Sequence, residues 1–484
     1  MLEIALDSAR PTPLWRQIAD AISEAIWAGR IKPAARLPGA RKLAERLGVH
    51  RHTVDAAYAE LVAQGWVEAR QGSGTWVSAA LPARVEPPGP SGAPAAQGFD
   101  WTPAAPAPLT GGQVHPAGTL VMAGGQPDLR LLPAHAMAQA YRRALLRAGS
   151  RLLGYGDPAG LWALREQLAS MLAQTRGLKV APAQVLVTRG SQMGLALVAA
   201  ALVRPGDRIA VEAMGYPPAW AALRAAGATL VPIPLDAEGM DMNALEQAHR
   251  EAPLRAVYVT PHHQYPTTVL LSAPRRVALL ALATRERIAV MEDDYDHEFQ
   301  YEGKPVLPLA ATDESGVVIY IGTMSKVLAP GLRVGFVVGS TPFISSLTAR
   351  RALIDRQGDQ VAEAAVAELM EAGDVARHVR KMRRVYLERR DFLCEILMNN
   401  FGEYIKFVPP PGGMAVWAEV LGGAGVTARE WSARGARCGV SVVDGSRYSF
   451  EGAEAPWLRL GFACLEPAEL EAAVGRLARA RVLT

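Results

Sequence analysis

Lys326 stands in the stretch VVIYIGTMSKVLAPGLRVGFVVG, residues 317–339. Two β-branched runs, 317–321 and 334–338, read as strands on either side of a tight loop. A lysine caught between buried strands is costly unless it is paired or has reacted. One chemistry suits it: condensation of its amine with the aldehyde of pyridoxal 5'-phosphate as a Schiff base. The hydroxyls of Thr323 and Ser325, with the guanidinium of Arg333, would then hold the phosphate. A solvated loop that happens to carry Lys and Arg is the competing account, and the short pattern alone does not separate the two.

Other stretches offer the remaining parts of such a site. Residues 289–299, AVMEDDYDHEF, run from a hydrophobic strand into a burst of acids. That strand end is where ligands bind in open α/β sheets. Pyridoxal phosphate needs a carboxylate at its pyridine nitrogen and a donor near its phenolic oxygen, and Asp293 and Tyr295 suit those tasks. An acidic solvated loop is the alternative. Gly190, Ser191 and Gln192 lie at a strand–turn–helix junction, where free N–H groups and the helix dipole favour an anion. Many α/β units carry such a turn. Tyr155, in LGYGDPAG (153–160), could reach a phosphate across a dimer interface. Tyr216, before Pro217-Pro218, could stack on a cofactor ring or simply pack in its loop. Arg459 interrupts an apolar strand, PWLRLGF (456–462), where a substrate carboxylate competes with a structural salt bridge as its partner.

The elements that must position these residues alternate helix and strand from residue 119 to 484, as in an α/β fold with a mostly parallel sheet. Strands are expected at 184–188, 208–212, 229–233, 256–259 and 288–291, with helices at 161–174 and 193–202. Residues 1–78 read differently. An apolar face at Leu14, Ile18, Ile22 and Ile26 marks a first helix within 11–28. Shorter helices at 39–47 and 50–64 flank a turn at Gly48-Val49, which is the helix-turn-helix pattern. A small hairpin, 66–70 and 75–78 around Gln71-Gly72-Ser73-Gly74, adds a wing. Between Arg30 and His52 there are seven Lys and Arg residues against the single acid Glu45. Such a patch is an electrostatic footprint for a phosphate backbone. Arg36, Arg41, Arg51, His52, Thr53 and Gly74 are the candidate contacts to double-stranded DNA, with 51–53 opening the helix that reads bases. Residues 79–118, rich in Pro, Ala and Gly, have no apolar periodicity and read as a semi-extended tether.

The chain has 484 residues, half of them hydrophobic and a fifth charged, which suits two or three globular domains. Its net charge of +4 says little about partners. Cys394, Cys438 and Cys464 show no paired spacing, which argues against a disulfide framework or a thiolate metal site and suits a reducing cytoplasm. No signal peptide and no membrane span are expected.

Residues 37–77, LPGARKLAERLGVHRHTVDAAYAELVAQGWVEARQGSGTWV, resemble the winged helix of GntR-type bacterial regulators. Gly39 and His50 depart from that pattern, since relatives often carry Ser at both places. Gly-Tyr-Gly-Asp-Pro, Gly-Ser-Gln, Gly-Tyr-Pro, Asp293/Tyr295, Lys326, Arg333 and Arg459, in this order, resemble fold type I aminotransferases. Together the two resemble the MocR/GabR family of bacterial regulators. That resemblance implies a large sheet domain with a small C-terminal subdomain at about 345–484. It implies pyridoxal phosphate on Lys326 as an aldimine, Asp293 at the pyridine nitrogen and Tyr295 at the phenolic oxygen. Gly190, Ser191, Gln192, Thr323, Ser325 and Arg333 would hold the phosphate, and Arg459 the carboxylate of an amino-acid effector. It also implies a cytoplasmic homodimer that reads two half-sites. Thr268, in HHQYPTT, replaces a glycine usual in relatives. Three further readings stay open: pyridoxal phosphate itself as the signal, a working aminotransferase with an appended DNA-binding head, and a DNA-binding scaffold whose cofactor fold is dead.

Overall fold

The computed structural model of the protein describes residues 4, 6–7, 12–70, 73–79, 81, 115–122, 124–303, 306–450 and 452–483. They divide into two units, 1–103 and 104–484. Most of the expected tether and the tip of the expected wing, Gln71-Gly72, lie outside the described residues.

The first unit is three helices and a hairpin: α1 (Leu14–Trp27), α2 (Ala40–Leu47), α3 (Arg51–Ala63), β1 (Val67–Arg70) and β2 (Gly74–Val77). Ile18, Ile22 and Ile26 point inward from α1 and meet Leu43, Val54, Leu61 and Val77 in one closed apolar cluster. Leu14, expected on the same face, is only half-buried. Gly48 ends α2 in the left-handed region at φ 64°, which lets the chain turn sharply into α3. Gly39 caps α2 without a side-chain hydrogen bond, as its missing hydroxyl predicts. His50 caps α3 instead with its ring, Nδ1 accepting from the His52 N–H at 3.4 Å.

The second unit is built on a seven-stranded mixed sheet. Its strands are β3 (Val185–Thr188), β4 (Arg208–Glu212), β5 (Thr229–Ile233), β6 (Leu254–Val259), β7 (Ala289–Asp294), β8 (Val318–Thr323) and β9 (Gly335–Val338). Their spatial order is β3-β9-β8-β7-β6-β4-β5. β9 runs antiparallel to both its neighbours and the other pairings are parallel. Helices cover both faces, so the central strands read as continuous apolar runs rather than alternating ones. A smaller antiparallel sheet follows the long helix α5 (Asp374–Phe401). It joins β10 (Ile405–Lys406), β11 (Ala415–Val420), β12 (Val443–Asp444) and β13 (Trp457–Gly461) in the order β10-β11-β13-β12. The closing helix α6 (Pro467–Val482) packs with α5 over its apolar face. No helix among the described residues is long and apolar enough to cross a membrane.

Two local expectations change. The strand anticipated at 288–291 extends to Asp294, so Glu292, Asp293 and Asp294 are strand residues, all buried, and not a solvated acidic loop. Helix α4 (Ser191–Leu202) begins at Ser191 rather than 193, which places Gly190 at its N-cap.

Candidate functional site

The parallel strands deliver their C-terminal ends to one side of the sheet. Asp293 lies near the end of β7, Thr323 ends β8, and Gly190 lies two residues beyond β3. Lys326 follows β8 by three residues and is half-buried. Desolvation by the surrounding protein, reinforced by the Arg459 charge, pulls its ammonium down to about 8, while Asp296 and Asp293 support the charged form. The structure therefore brings Lys326, Asp293 and Arg459 into one electrostatic neighbourhood from three distant parts of the chain.

Asp293 is held from behind by Tyr258, whose hydroxyl donates to Oδ2 at 2.8 Å, while Oδ1 has no hydrogen-bond partner. Burial pushes its carboxyl up to about 7 against the Tyr258 bond. Tyr295 donates to the backbone carbonyl of His263 at 2.9 Å, and burial raises its phenol well above the ordinary range.

The anion-binding corner is built of close backbone approaches. Gly190 has φ 76° and ψ 168°, and a side-chain carbon there would meet the Arg333 guanidinium at 3.0 Å. On Gly335 it would lie 2.5 Å from the Gly190 carbonyl carbon and 2.8 Å from the Ser191 nitrogen. The two glycines let β9 press against the start of α4, whose first N–H groups have no helical partner. Arg333, itself left-handed at φ 53°, is exposed and donates through Nη2 to the Arg189 carbonyl at 2.7 Å. Thr323 Oγ1 lies 3.0 Å from Ser325 Oγ and accepts from the Ser325 N–H at 3.1 Å. Gln192 donates to the Pro218 carbonyl at 3.0 Å, and its Oε1 is buried without a partner.

Arg459, on β13, is 1% exposed, with Nε and Nη1 lacking any hydrogen-bond partner. Among the described residues it has no ion pair, so the salt-bridge account loses its partner. Its guanidinium lies over the Tyr265 ring, 4.7 Å from the centroid. Burial works against its charge, but Tyr265, Tyr448, Tyr295 and Asp296 more than offset that and hold its pKa above the ordinary value.

Tyr265 carries no chemical signal in the sequence, yet its ring joins three other tyrosines of the site to Arg459. Its ring meets Tyr216 edge-on at 5.2 Å, Tyr295 at 5.8 Å and Tyr448 at 5.4 Å. Its N–H donates to Thr260 Oγ1, which in turn donates to buried Glu212. Tyr258, Tyr265, Tyr448 and Asp296 escaped notice because their partners are remote in sequence, and a lone tyrosine in an apolar run reads as core. Tyr216 packs as both accounts allowed. Tyr155 stays apart from this group within the chain. It is 83% exposed, with Arg356 over its ring at 4.6 Å.

The residues fit pyridoxal phosphate on structural grounds. A buried carboxylate oxygen with no partner, a depressed lysine and a glycine-lined helix start with free N–H groups are the three features the cofactor requires. In the first unit, Arg36, Arg41, Arg51 and His52 are exposed, and Thr53 is half-buried on the first turn of α3. Gly74 opens β2 at φ 93°, with Arg36 Nε 3.3 Å from where its side chain would begin.

A winged-helix head joined to a fold type I body with a cofactor-ready lysine defines the class: a DNA-binding regulator that binds pyridoxal phosphate. Comparison with known proteins agrees. Residues 120–477 match the family described as Aminotransferase class I and II, and residues 14–77 match Bacterial regulatory proteins, gntR family. The chain is 32% identical to the Probable rhizopine catabolism regulatory protein MocR of Rhizobium meliloti, over 98% of this chain and 95% of that one. It is also 32% identical to the HTH-type transcriptional regulator TauR of Rhodobacter capsulatus, covering 96% of each. Among solved structures, α-aminoadipate aminotransferase LysN of Thermus thermophilus, complexed with N-(5'-phosphopyridoxyl)-L-leucine, has 31% identity and a TM-score of 0.70. It covers 75% of this chain and 92% of that one. The chain belongs to the MocR-type transcriptional regulators, in which a GntR-type head is fused to an aminotransferase class I and II body.

Proposed function

We propose that this regulator reads an amino-acid or amine effector at Lys326, with Arg459 taking the effector carboxylate. The observation that carries the reading is the buried, unpartnered guanidinium of Arg459 beside a lysine whose amine is depressed to about 8. A charge so placed is satisfied best by a ligand anion. When bound, pyridoxal phosphate supplies an aldehyde carbon that takes up amines and a ring that withdraws electrons. Asp293 Oδ1 would keep the ring nitrogen protonated, and Tyr295 would serve the phenolic oxygen. Gly190, Ser191, Gln192, Thr323, Ser325 and Arg333 would hold the phosphate, Tyr216 would flank the ring, and Tyr155 would reach in from a second subunit. Effector contacts bias how the small C-terminal part of the body sits, and thereby the heads. The heads, through Arg36, Arg41, Arg51, His52, Thr53 and Gly74, engage two half-sites as a homodimer in the cytoplasm, associated with the nucleoid when bound to DNA.

The test is an absorbance titration of the holo-protein with amines and amino acids, with operator DNA retention measured alongside. An effector should shift the cofactor band and change retention together. A band that no amine moves, or that persists unchanged in Lys326→Ala, overturns the reading. The depressed Lys326 also suits a proton-transferring base, which favours an active aminotransferase as the second reading. Sustained formation of one keto acid at the expense of another would establish it.

A further inference from the structure

We propose that Asp296 is a specificity-determining residue that selects an effector with a second, distal ammonium group: a diamino acid whose carboxylate pairs with Arg459. The assignment rests on the effector reading given above and names its chemical class. Asp296 is 1% exposed. Its Oδ1 is fixed by His263 Nδ1 at 2.7 Å, and His263 Nε2 is fixed in turn by Gln300 Oε1 at 2.8 Å. Its Oδ2 has no hydrogen-bond partner. The carboxylate is thus locked in place with one oxygen unused.

That oxygen and the unused nitrogens of Arg459 border the same short piece of backbone. A carbon placed on Gly413 would lie 3.4 Å from Asp296 Oδ2. The next residue, Met414, has its Cβ 3.5 Å from a carbon placed on Gly125, and that carbon would lie 3.4 Å from the unused Arg459 Nη1. Yet no ion pair joins Asp296 to Arg459 among the described residues. Lys326 feels both, Arg459 opposing its charge and Asp296 supporting it. Asp296 pairs with His263 through Oδ1, which leaves its Oδ2 and two nitrogens of Arg459 buried without hydrogen-bond partners. A ligand with a carboxylate for one and an ammonium for the other satisfies both. An amino acid with an apolar side chain leaves Asp296 Oδ2 unpaired, and a dicarboxylate sets a second anion against it.

The experiment titrates the holo-protein with ornithine, its apolar counterpart norvaline, and glutamate, by absorbance and by calorimetry. Ornithine should bind tighter than norvaline by about tenfold or more, the scale of one charge-assisted hydrogen bond. Asp296→Asn should shrink that ratio to roughly threefold or less, ornithine binding falling much further than norvaline binding. His263→Gln, which keeps the carboxylate, should retain the preference for ornithine. Where Asp296→Asn fails to fold, the ornithine–norvaline ratio of the unmodified protein decides. Equal binding of the two, or a ratio that survives in Asp296→Asn, overturns the assignment. So does a uniform weakening of all three ligands in Asp296→Asn with a lower pH midpoint for cofactor capture by the apo-protein, because Asp296 then serves Lys326. No response to any of the three overturns the effector reading itself, and the assignment with it.

Discussion

At Lys326 the competition is between hydration of an ammonium and the field of three charged neighbours. Burial and Arg459 win, which leaves the amine near 8. Cofactor capture by the apo-protein needs the neutral amine, so its rate should climb as pH rises through about 8. Arg459→Met removes a cation and should move that midpoint upward, as stopped-flow absorbance would read. Asp293 carries the opposite sign. Its folded pKa, about 7, stands above the ordinary 3.8, so its contribution to stability is fully present below 3.8 and lost as pH rises through 7. Apo Asp293→Asn should therefore melt higher than the unmodified apo-protein at pH 8, while binding pyridoxal phosphate about tenfold or more weakly. The lysine was legible from sequence because a cation between two β-branched runs has few explanations. Tyr258 was not, because its role depends on Asp293 and the strand pairing that joins them, and no local pattern encodes that.

At the level of elements, the loop 260–271 shows where a sequence oddity became a physical one. Thr268, where the family resemblance leads one to expect glycine, has φ 64°, which is unfavourable for a β-branched residue. Its hydroxyl donates to the Thr267 carbonyl at 2.6 Å and its N–H to the Gln264 carbonyl at 2.6 Å, so the loop is held despite the strain. Thr268→Gly should relieve about 1 kcal/mol of that strain and raise the melting temperature. Unchanged or lower melting would mean that the hydroxyl bond outweighs the backbone. Strands were legible from their β-branched runs, and several boundaries were met to the residue. The acids of β7 were misleading because charge usually marks the end of a strand. Here Glu292 accepts from the N–H groups of Leu309 and Ala310, and Asp294 Oδ2 accepts from Tyr320 and lies 3.1 Å from His297, so the strand continues through them.

For the molecule as a whole, head and body each close their own apolar core, which is why two resemblances could be read independently from one chain. The basic head gives a salt-dependence that the body's pocket does not. Arg41→Ala, at an exposed position of α2, should reduce the slope of log affinity for DNA against log salt by about 0.9 if that side chain neutralises one phosphate. A slope that stays fixed would remove Arg41 from the interface. What no sequence pattern conveyed is which acids and tyrosines surround Lys326 and Arg459. Arg459 comes from the small sheet and Lys326 from the large one, and only folding tells which acids stand beside them.

The contact between Gly190 and Gly335 also has a consequence for how this chain can vary. Neither residue has a side chain to offer a ligand, yet the Gly190 backbone excludes any substituent on Gly335, and Gly190 itself holds a conformation, φ 76° and ψ 168°, that is essentially open to glycine alone. A saturation scan scored on cofactor retention should find both positions almost wholly intolerant, alanine included. The exposed Arg333 beside them should accept lysine more readily. Variation here is limited by backbone space at Gly335 and by backbone conformation at Gly190, so the inheritance of the site includes two positions that carry no chemistry of their own.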